Sequence, residues 1–236
     1  TWNEVAQGYA IDLLPTFELY SADALILAEL PRRARVIDIA AGPGTLSLLA
    51  APHVERVEAI DFSEAMVQVL ARRVAEAGHA NVTVRRGDGQ SLPFNDAVFD
   101  AAFSMFGLMF FPDRGAGFRE MRRVLKVGGR AVVSSWAPLD QVPLLGTLFE
   151  AIRELLPEVP MGGGKAPLSD PNEFRDEMEA AGFSQVDIQS VRHQVKYASM
   201  SEFWAVQVRS SAPIALLRRR LDPEQWEVLS RDLVPK

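Results

Sequence analysis

The sequence predicts an α/β fold: an open, mostly parallel sheet with helices on both faces, a helical cap before it and a lid inserted near its end. Three observations carry this expectation. Val36-Ile37-Asp38-Ile39-Ala40-Ala41-Gly42-Pro43-Gly44-Thr45-Leu46-Ser47 reads as a buried strand, a glycine turn and the start of a helix. Val57-Glu58-Ala59-Ile60-Asp61 repeats the strand and ends in a carboxylate 17 residues past Gly44, near the spacing at which an acidic residue meets a ribose in dinucleotide folds. Val82 to Arg86 runs into Gly87-Asp88-Gly89, and Phe99 to Phe103 runs into Ser104-Met105-Phe106-Gly107, so each polar or glycine-rich turn follows a strand's carboxyl end. In an open parallel sheet those ends lie side by side, and ligands bind in the crevice outside them.

Read in order, residues 1–30 form a cap of two helices broken near Pro15 and lying over the cleft. Residues 31–137 form the core. Its first turn needs Gly42 and Gly44 because a Cβ there would keep a ligand from the backbone, and the helix from Thr45 turns free N–H groups towards that ligand. A helix from Gly115 to Lys126 is ended by Gly128-Gly129, and Arg130 to Trp136 is the fifth strand. Residues 138–169, rich in Pro and Gly, form the lid, with a helix from Val142 to Leu156. Their Gly162-Gly163-Gly164-Lys165 is a flexible loop and not a phosphate loop, since Ala166 follows the lysine and no strand precedes the glycines. In residues 170–198, Asp170-Pro171 caps a helix that Gly182 ends, and Val186 to Val191 is a sixth strand. A closing antiparallel strand either lies within His193 to Ala198 or falls beyond the chain. Residues 199–236 are a helical tail whose last helix opens at Asp222-Pro223-Glu224. The whole is a single domain.

Composition narrows the function. Hydrophobic residues make up 48% of 236, enough for a sizeable core, and no apolar run approaches a membrane span. The absence of cysteine excludes disulfides and thiolate metal sites and fits a cytoplasmic protein. His53, His79 and His193 have no metal-ligand spacing, so no metal is expected. A net charge of −6 argues against a nucleic-acid partner, because a polyanion needs a clustered positive surface. The one compact basic run, Arg218-Arg219-Arg220, is followed by Asp222 and Glu224 and reads as a solvated helix face.

The motifs together resemble the Rossmann-like class I S-adenosylmethionine-dependent methyltransferases, and within them the small-molecule enzymes related to the ubiquinone/menaquinone-biosynthesis C-methyltransferases. The resemblance spans roughly Val36 to Trp136. It rests on Asp38 to Gly44, on Asp61-Phe62-Ser63-Glu64-Ala65-Met66, on Gly87 to Phe94, on Phe106-Gly107-Leu108-Met109-Phe110-Phe111-Pro112-Asp113 and on Arg123 to Arg130. It departs from the family at Ala40, where a glycine is usual. The resemblance implies that S-adenosylmethionine is bound and S-adenosylhomocysteine released. Asp38 would place the cofactor's ammonium group through the turn, and Asp61 would accept both ribose hydroxyls. Asp88 would accept from the adenine amino group. Met66 would pack on the adenine, or is plain core on the stripe of Val67, Leu70 and Val74. Tyr9 would reach the cofactor from the cap, and Ala40, Phe62, Gly89 and Ser104 complete the set.

A sulfonium already makes its methyl group electrophilic, so the enzyme's main task is to align a small-molecule acceptor with it. A base is needed only if the acceptor must lose a proton; His193 is the candidate, with Tyr9 and Asp113 behind it. Phe106, Phe110, Phe111, Trp136 and Trp204 would line an apolar or aromatic acceptor pocket. O-, N- and C-methylation are all compatible with these residues. Two other readings remain: an NAD-dependent oxidoreductase, whose fingerprint would put a third glycine where Ser47 stands, and a non-catalytic cofactor-binding protein.

Overall fold

The computed structural model describes residues 1–159 and 166–234. The cap is two helices, α1 (Trp2–Asp12) and α2 (Leu14–Ala28), which meet at Leu13, with Pro15 in the first turn of α2, where its missing N–H costs nothing. The core follows as β1 (Arg35–Ile39), α3 (Thr45–Ala50), β2 (Arg56–Asp61), α4 (Glu64–Ala77), β3 (Val82–Arg86), β4 (Phe99–Met105), α5 (Arg114–Val124) and β5 (Leu125–Ser134). Then come α6 (Pro143–Leu155), α7 (Pro171–Ala180), α8 (Met200–Ser210), α9 (Ala212–Arg220) and α10 (Pro223–Asp232).

The strands form one parallel sheet in the order β3-β2-β1-β4-β5. Its sense reverses between β1 and β4, so the turn after β1 opens at the switch point where such sheets bind ligands. Alternation within the strands divides the core between two faces. Ile37, Ile39, Ile60 and Ala102 lie under Phe118 and Met121 of α5 and Phe174 and Met178 of α7. Val36, Val57, Ala101 and Phe103 lie under Ala24 and Ala28 of α2 and Leu46 and Ala50 of α3. Both faces are therefore dry, as the continuous apolar runs require.

Two sequence expectations are corrected. The helix expected to reach Lys126 ends at Val124, and β5 begins at once. Its register with β4 shifts between Phe99 and Ala101, with Gly128 at φ 78° in the bulge. Val186 to Val191 forms no strand: the described residues between α7 and α8 carry neither helix nor ladder. Val186 and Ile188 do pack on the core, so the alternating pattern marked a one-sided burial without main-chain pairing. The helix of the expected lid, α6, packs through Leu148 and Ile152 on Phe203, Ile214, Leu217 and Leu229 of the tail. Gly162 to Lys165 lie outside the described residues. No helix among the described residues is long and apolar enough to cross a membrane.

Candidate functional site

The turn after β1 is built from departures from ordinary backbone at three alternate residues. Ala40, Gly42 and Gly44 all have positive φ, at 57°, 55° and 81°. At Gly42 a Cβ would meet nothing, which leaves open space beside the backbone; at Gly44 it would come within 1.9 Å of Leu70 Cδ1. Ala40 tolerates the left-handed conformation at a cost of about 1 kcal/mol, which a glycine would avoid.

Two carboxylates organise this turn. Asp61, at the end of β2, accepts from the Gly42 amide through Oδ2 and from the Ser63 amide through Oδ1, both at 2.8 Å. It thereby ties the first turn to the start of α4, where Ser63 caps the Met66 amide. Burial pushes its carboxyl upward, and the two amides oppose that shift. Asp38 is 2% exposed and has one side-chain partner, the Ser47 hydroxyl, which donates to Oδ2 at 2.6 Å. Burial pushes Asp38 from the ordinary 3.8 up to about 7, against the Ser47 hydrogen bond and with the charge of Asp61 adding to the rise. A buried carboxylate held only by the hydroxyl and the amide of Ser47 has lone pairs to spare. The pair therefore fits a ligand that brings hydroxyls and a cationic group.

The cap closes over this turn. Tyr9 stacks on Phe17 at 5.4 Å, and burial followed by the charge of Asp61 raises its phenol. Tyr9, Phe17, Ser21, Asp38, Ala40, Gly42 and Met105 line a cavity of about 30 Å³, room for one or two waters. α1 is pinned on both sides. Asn3 Oδ1 accepts from the Ser63 hydroxyl at 2.7 Å, Asp12 receives two bonds from Arg209 of α8, and Glu4 pairs with Arg219.

Beyond the turn lies an aromatic wall. Phe106 is held at φ 54° just past β4, and Trp136 follows β5; their rings lie 4.7 Å apart. Phe17 and Tyr20 of α2 meet Phe106 edge-on at 4.9 and 5.3 Å. His193 reaches this wall from the segment before α8, edge-on to Tyr20 at 4.7 Å, with Nε2 2.6 Å from Asp23 Oδ2.

The remaining expected residues divide. Gly89 is buried against Ile39 and Phe111, where a Cβ would come within 2.4 Å of the Phe111 ring. Phe62 is 70% exposed, with the Arg86 guanidinium 6.0 Å over its ring, and Asp88 is exposed, its Oδ1 accepting from the backbone and side chain of Gln90. Phe110 is exposed beside Trp2 at 5.2 Å. Met66 is enclosed by Val5, Ala6, Val69 and Ala212. Ser104 is fully buried and accepts from the Leu108 amide, so it braces the loop after β4. Asp113 caps α5 through the Ala116 amide. Trp204 lies in the tail cluster against Trp226 at 5.6 Å, while the aromatic wall is built by other rings. The expectation that His193 ends a strand falls with that strand. Missing from the sequence reading were Phe17, Tyr20, Ser21 and Asp23. The buried stripe Phe17, Ser21, Ala24, Ala28 carries a helical period that could have pointed α2 at the sheet.

Residues 36–129 match a family described as a methyltransferase domain. Around it the chain has the fold of the class I S-adenosylmethionine-dependent methyltransferases. It is similar to the demethylmenaquinone methyltransferase of Corynebacterium kroppenstedtii, 36% identical over 141 residues that make up 59% of this chain and 56% of that one. It is also similar to the demethylmenaquinone methyltransferase of Thermobifida fusca, 43% identical over 109 residues and 46% of each chain. The chain thus spans about half the length of the curated relatives it matches. The crystal structure of the YcgJ protein from Bacillus subtilis superposes with a TM-score of 0.64 at 26% identity, covering 89% of this chain and 88% of that one. The methyltransferase domain contains the Asp38 to Gly44 turn, Asp61 and Asp88. His193 and the cap lie outside it.

Proposed function

We propose that the protein transfers a methyl group from S-adenosylmethionine to a small aromatic acceptor. The observation that carries this is the pair of carboxylates at the switch point: Asp61 holding the Gly42 amide, and Asp38 buried with a single side-chain donor. Asp38 would take the ammonium group of the methionyl part, and Asp61 keeps lone pairs for ribose hydroxyls while it shapes the turn. Phe62 and Asp88 stand at the open end, suited to the adenine. The cap residues Tyr9 and Phe17 exclude water from the site. When bound, S-adenosylmethionine supplies a methyl group made electrophilic by its sulfonium.

Alignment of the acceptor is then the protein's principal contribution, worth about 7 to 11 kcal/mol of the barrier. Phe106, Trp136, Tyr20 and Phe17 offer ring faces and edges at the carboxyl end of the sheet, which suits an aromatic acceptor. The likeness to demethylmenaquinone methyltransferases supports a quinol-type ring, and the cysteine-free composition supports a cytoplasmic setting. The dinucleotide reading is disfavoured by Ser47, which is buried and committed to Asp38, where that fingerprint would have its third glycine.

Thermal shift and turnover test the proposal together. S-adenosylhomocysteine raises the melting temperature, NAD does not, and Asp61→Ala abolishes the shift. Labelled S-adenosylmethionine then passes its methyl group to at least one member of a panel of quinols, phenols and amines. Equal stabilisation by NAD refutes the cofactor. Binding without any turnover across the panel refutes the enzyme and favours the binding-only alternative.

A further inference from the structure

His193 and Asp23 are 170 positions apart in the chain, yet the fold brings Nε2 to 2.6 Å from Oδ2 beside the aromatic wall. Resting on the methyl transfer proposed above, we infer that His193 is the proton acceptor for an aromatic hydroxyl substrate and that Asp23 positions it.

The carboxylate fixes the imidazole tautomer. Asp23 can only accept, so Nε2 carries the proton and donates it, which leaves the lone pair on Nδ1. Nδ1 has no hydrogen bond to any described residue. Both side chains are partly buried, at 24% and 35% exposure, so the pair is neither a solvated surface contact nor sealed in the core. Among the described residues the ring packed on the imidazole is Tyr20, whose edge-on contact leads to Phe106 and thence to Phe17, a residue lining the cavity with Asp38 and Gly42. Base, wall and donor turn are thus joined through α2 alone: Phe17, Tyr20 and Asp23 follow one another at three-residue spacing on one helix face.

The chemistry of that base selects the acceptor class. An amine attacks through a lone pair it already carries, whereas an aromatic hydroxyl at neutral pH is a weak nucleophile until its proton leaves. In the proposed step the hydroxyl proton passes to Nδ1, and the electron pair so freed, on oxygen or delocalised to the ring carbon beside it, forms the new bond to the methyl carbon; attack through carbon is followed by loss of the ring proton to water. The electron pair of the methyl carbon–sulfur bond stays on sulfur, whose positive charge is lost. Asp23 balances the imidazolium that forms, and the imidazolium returns its proton to water after product leaves.

The test uses the full chain, S-adenosylmethionine, and matched phenols, hydroquinones and anilines. The wild type methylates the hydroxyl compounds. His193→Ala lowers kcat for them by about a hundredfold or more, and added imidazole restores part of the loss. Asp23→Asn lowers kcat by up to about a hundredfold with KM for the acceptor unchanged, the signature of misplacement and not of lost binding. Stabilisation by S-adenosylhomocysteine reports that each variant is folded; should His193→Ala lose it, His193→Gln takes its place. A variant kcat within about twofold of wild type overturns the assignment of the base while leaving methyl transfer in place. Turnover of anilines alone overturns the acceptor class. Absence of S-adenosylhomocysteine binding by the wild type overturns both proposals.

Discussion

Affinity for S-adenosylhomocysteine falls about tenfold between pH 8 and pH 6, and Asp38 is the cause. Its carboxyl is raised from 3.8 to about 7 because it is buried with one hydroxyl partner and Asp61 nearby. Raised so far, it ionises in the folded protein only at a cost: the apoprotein loses stability as pH rises from about 4 to about 7, on the order of 4 kcal/mol in all. A bound ammonium group repays the ionised form and not the neutral one. Affinity is therefore at its plateau above pH 7 and weakens about tenfold for each unit below it. Binding at pH 6 releases nearly one proton, so titration calorimetry in phosphate and in Tris gives different apparent enthalpies. Asp38→Asn removes both the pH dependence and the buffer dependence and binds weakly throughout. Equal dissociation constants at pH 6 and 8, with identical enthalpies in the two buffers, would refute the role of Asp38.

Three further outcomes follow from the same geometry. Asp61→Ala strips the acceptor from the Gly42 and Ser63 amides, and urea denaturation registers a loss of about 1 to 3 kcal/mol for each buried donor left unpaired. Ala40→Gly relieves about 1 kcal/mol of left-handed strain, partly offset by the freer unfolded chain, so calorimetry finds the melting temperature raised by about 2 °C. Asp12→Asn breaks the forked bond to Arg209; stability drops by only about 0.2 to 1 kcal/mol, since the guanidinium is half exposed. Stopped-flow release of S-adenosylhomocysteine is faster in that variant, and an unchanged rate would show that α1 does not hold the ligand in.

The turn proposed to hold the donor was legible in the chain because one-dimensional signals define it. A strand buried on both faces, a turn needing positive φ and an acidic strand end all leave marks at fixed spacing, and β1, β2 and Asp61 stand as those marks require. The wall proposed for the acceptor left none of that kind. Phe17, Tyr20 and Asp23 meet Phe106 and His193 only because α2 crosses the carboxyl end of the sheet, a tertiary fact that no local period encodes. Trp204 and Phe106 are both large aromatics in the sequence, and nothing nearby says that one faces Trp226 and the other Trp136. Residues 186–191 read as a strand, yet their alternation marks only one-sided burial of Val186 and Ile188, because hydrogen-bond pairing depends on the neighbouring edge and not on the segment itself.

Asp12 and Arg209 are separated by 197 positions, and Gly8 of α1 packs so closely that a Cβ would come within 2.2 Å of the Arg209 carbonyl. During synthesis at about 5 to 20 residues per second, α1 leaves the ribosome about 10 to 40 s before the helix that anchors it. The sheet and its donor turn can assemble in that interval while their cover waits, with Ile11 exposed even in the finished fold. The nascent chain thus completes the recess at its first turn before it can close it, and a ligand that arrives early finds an open door.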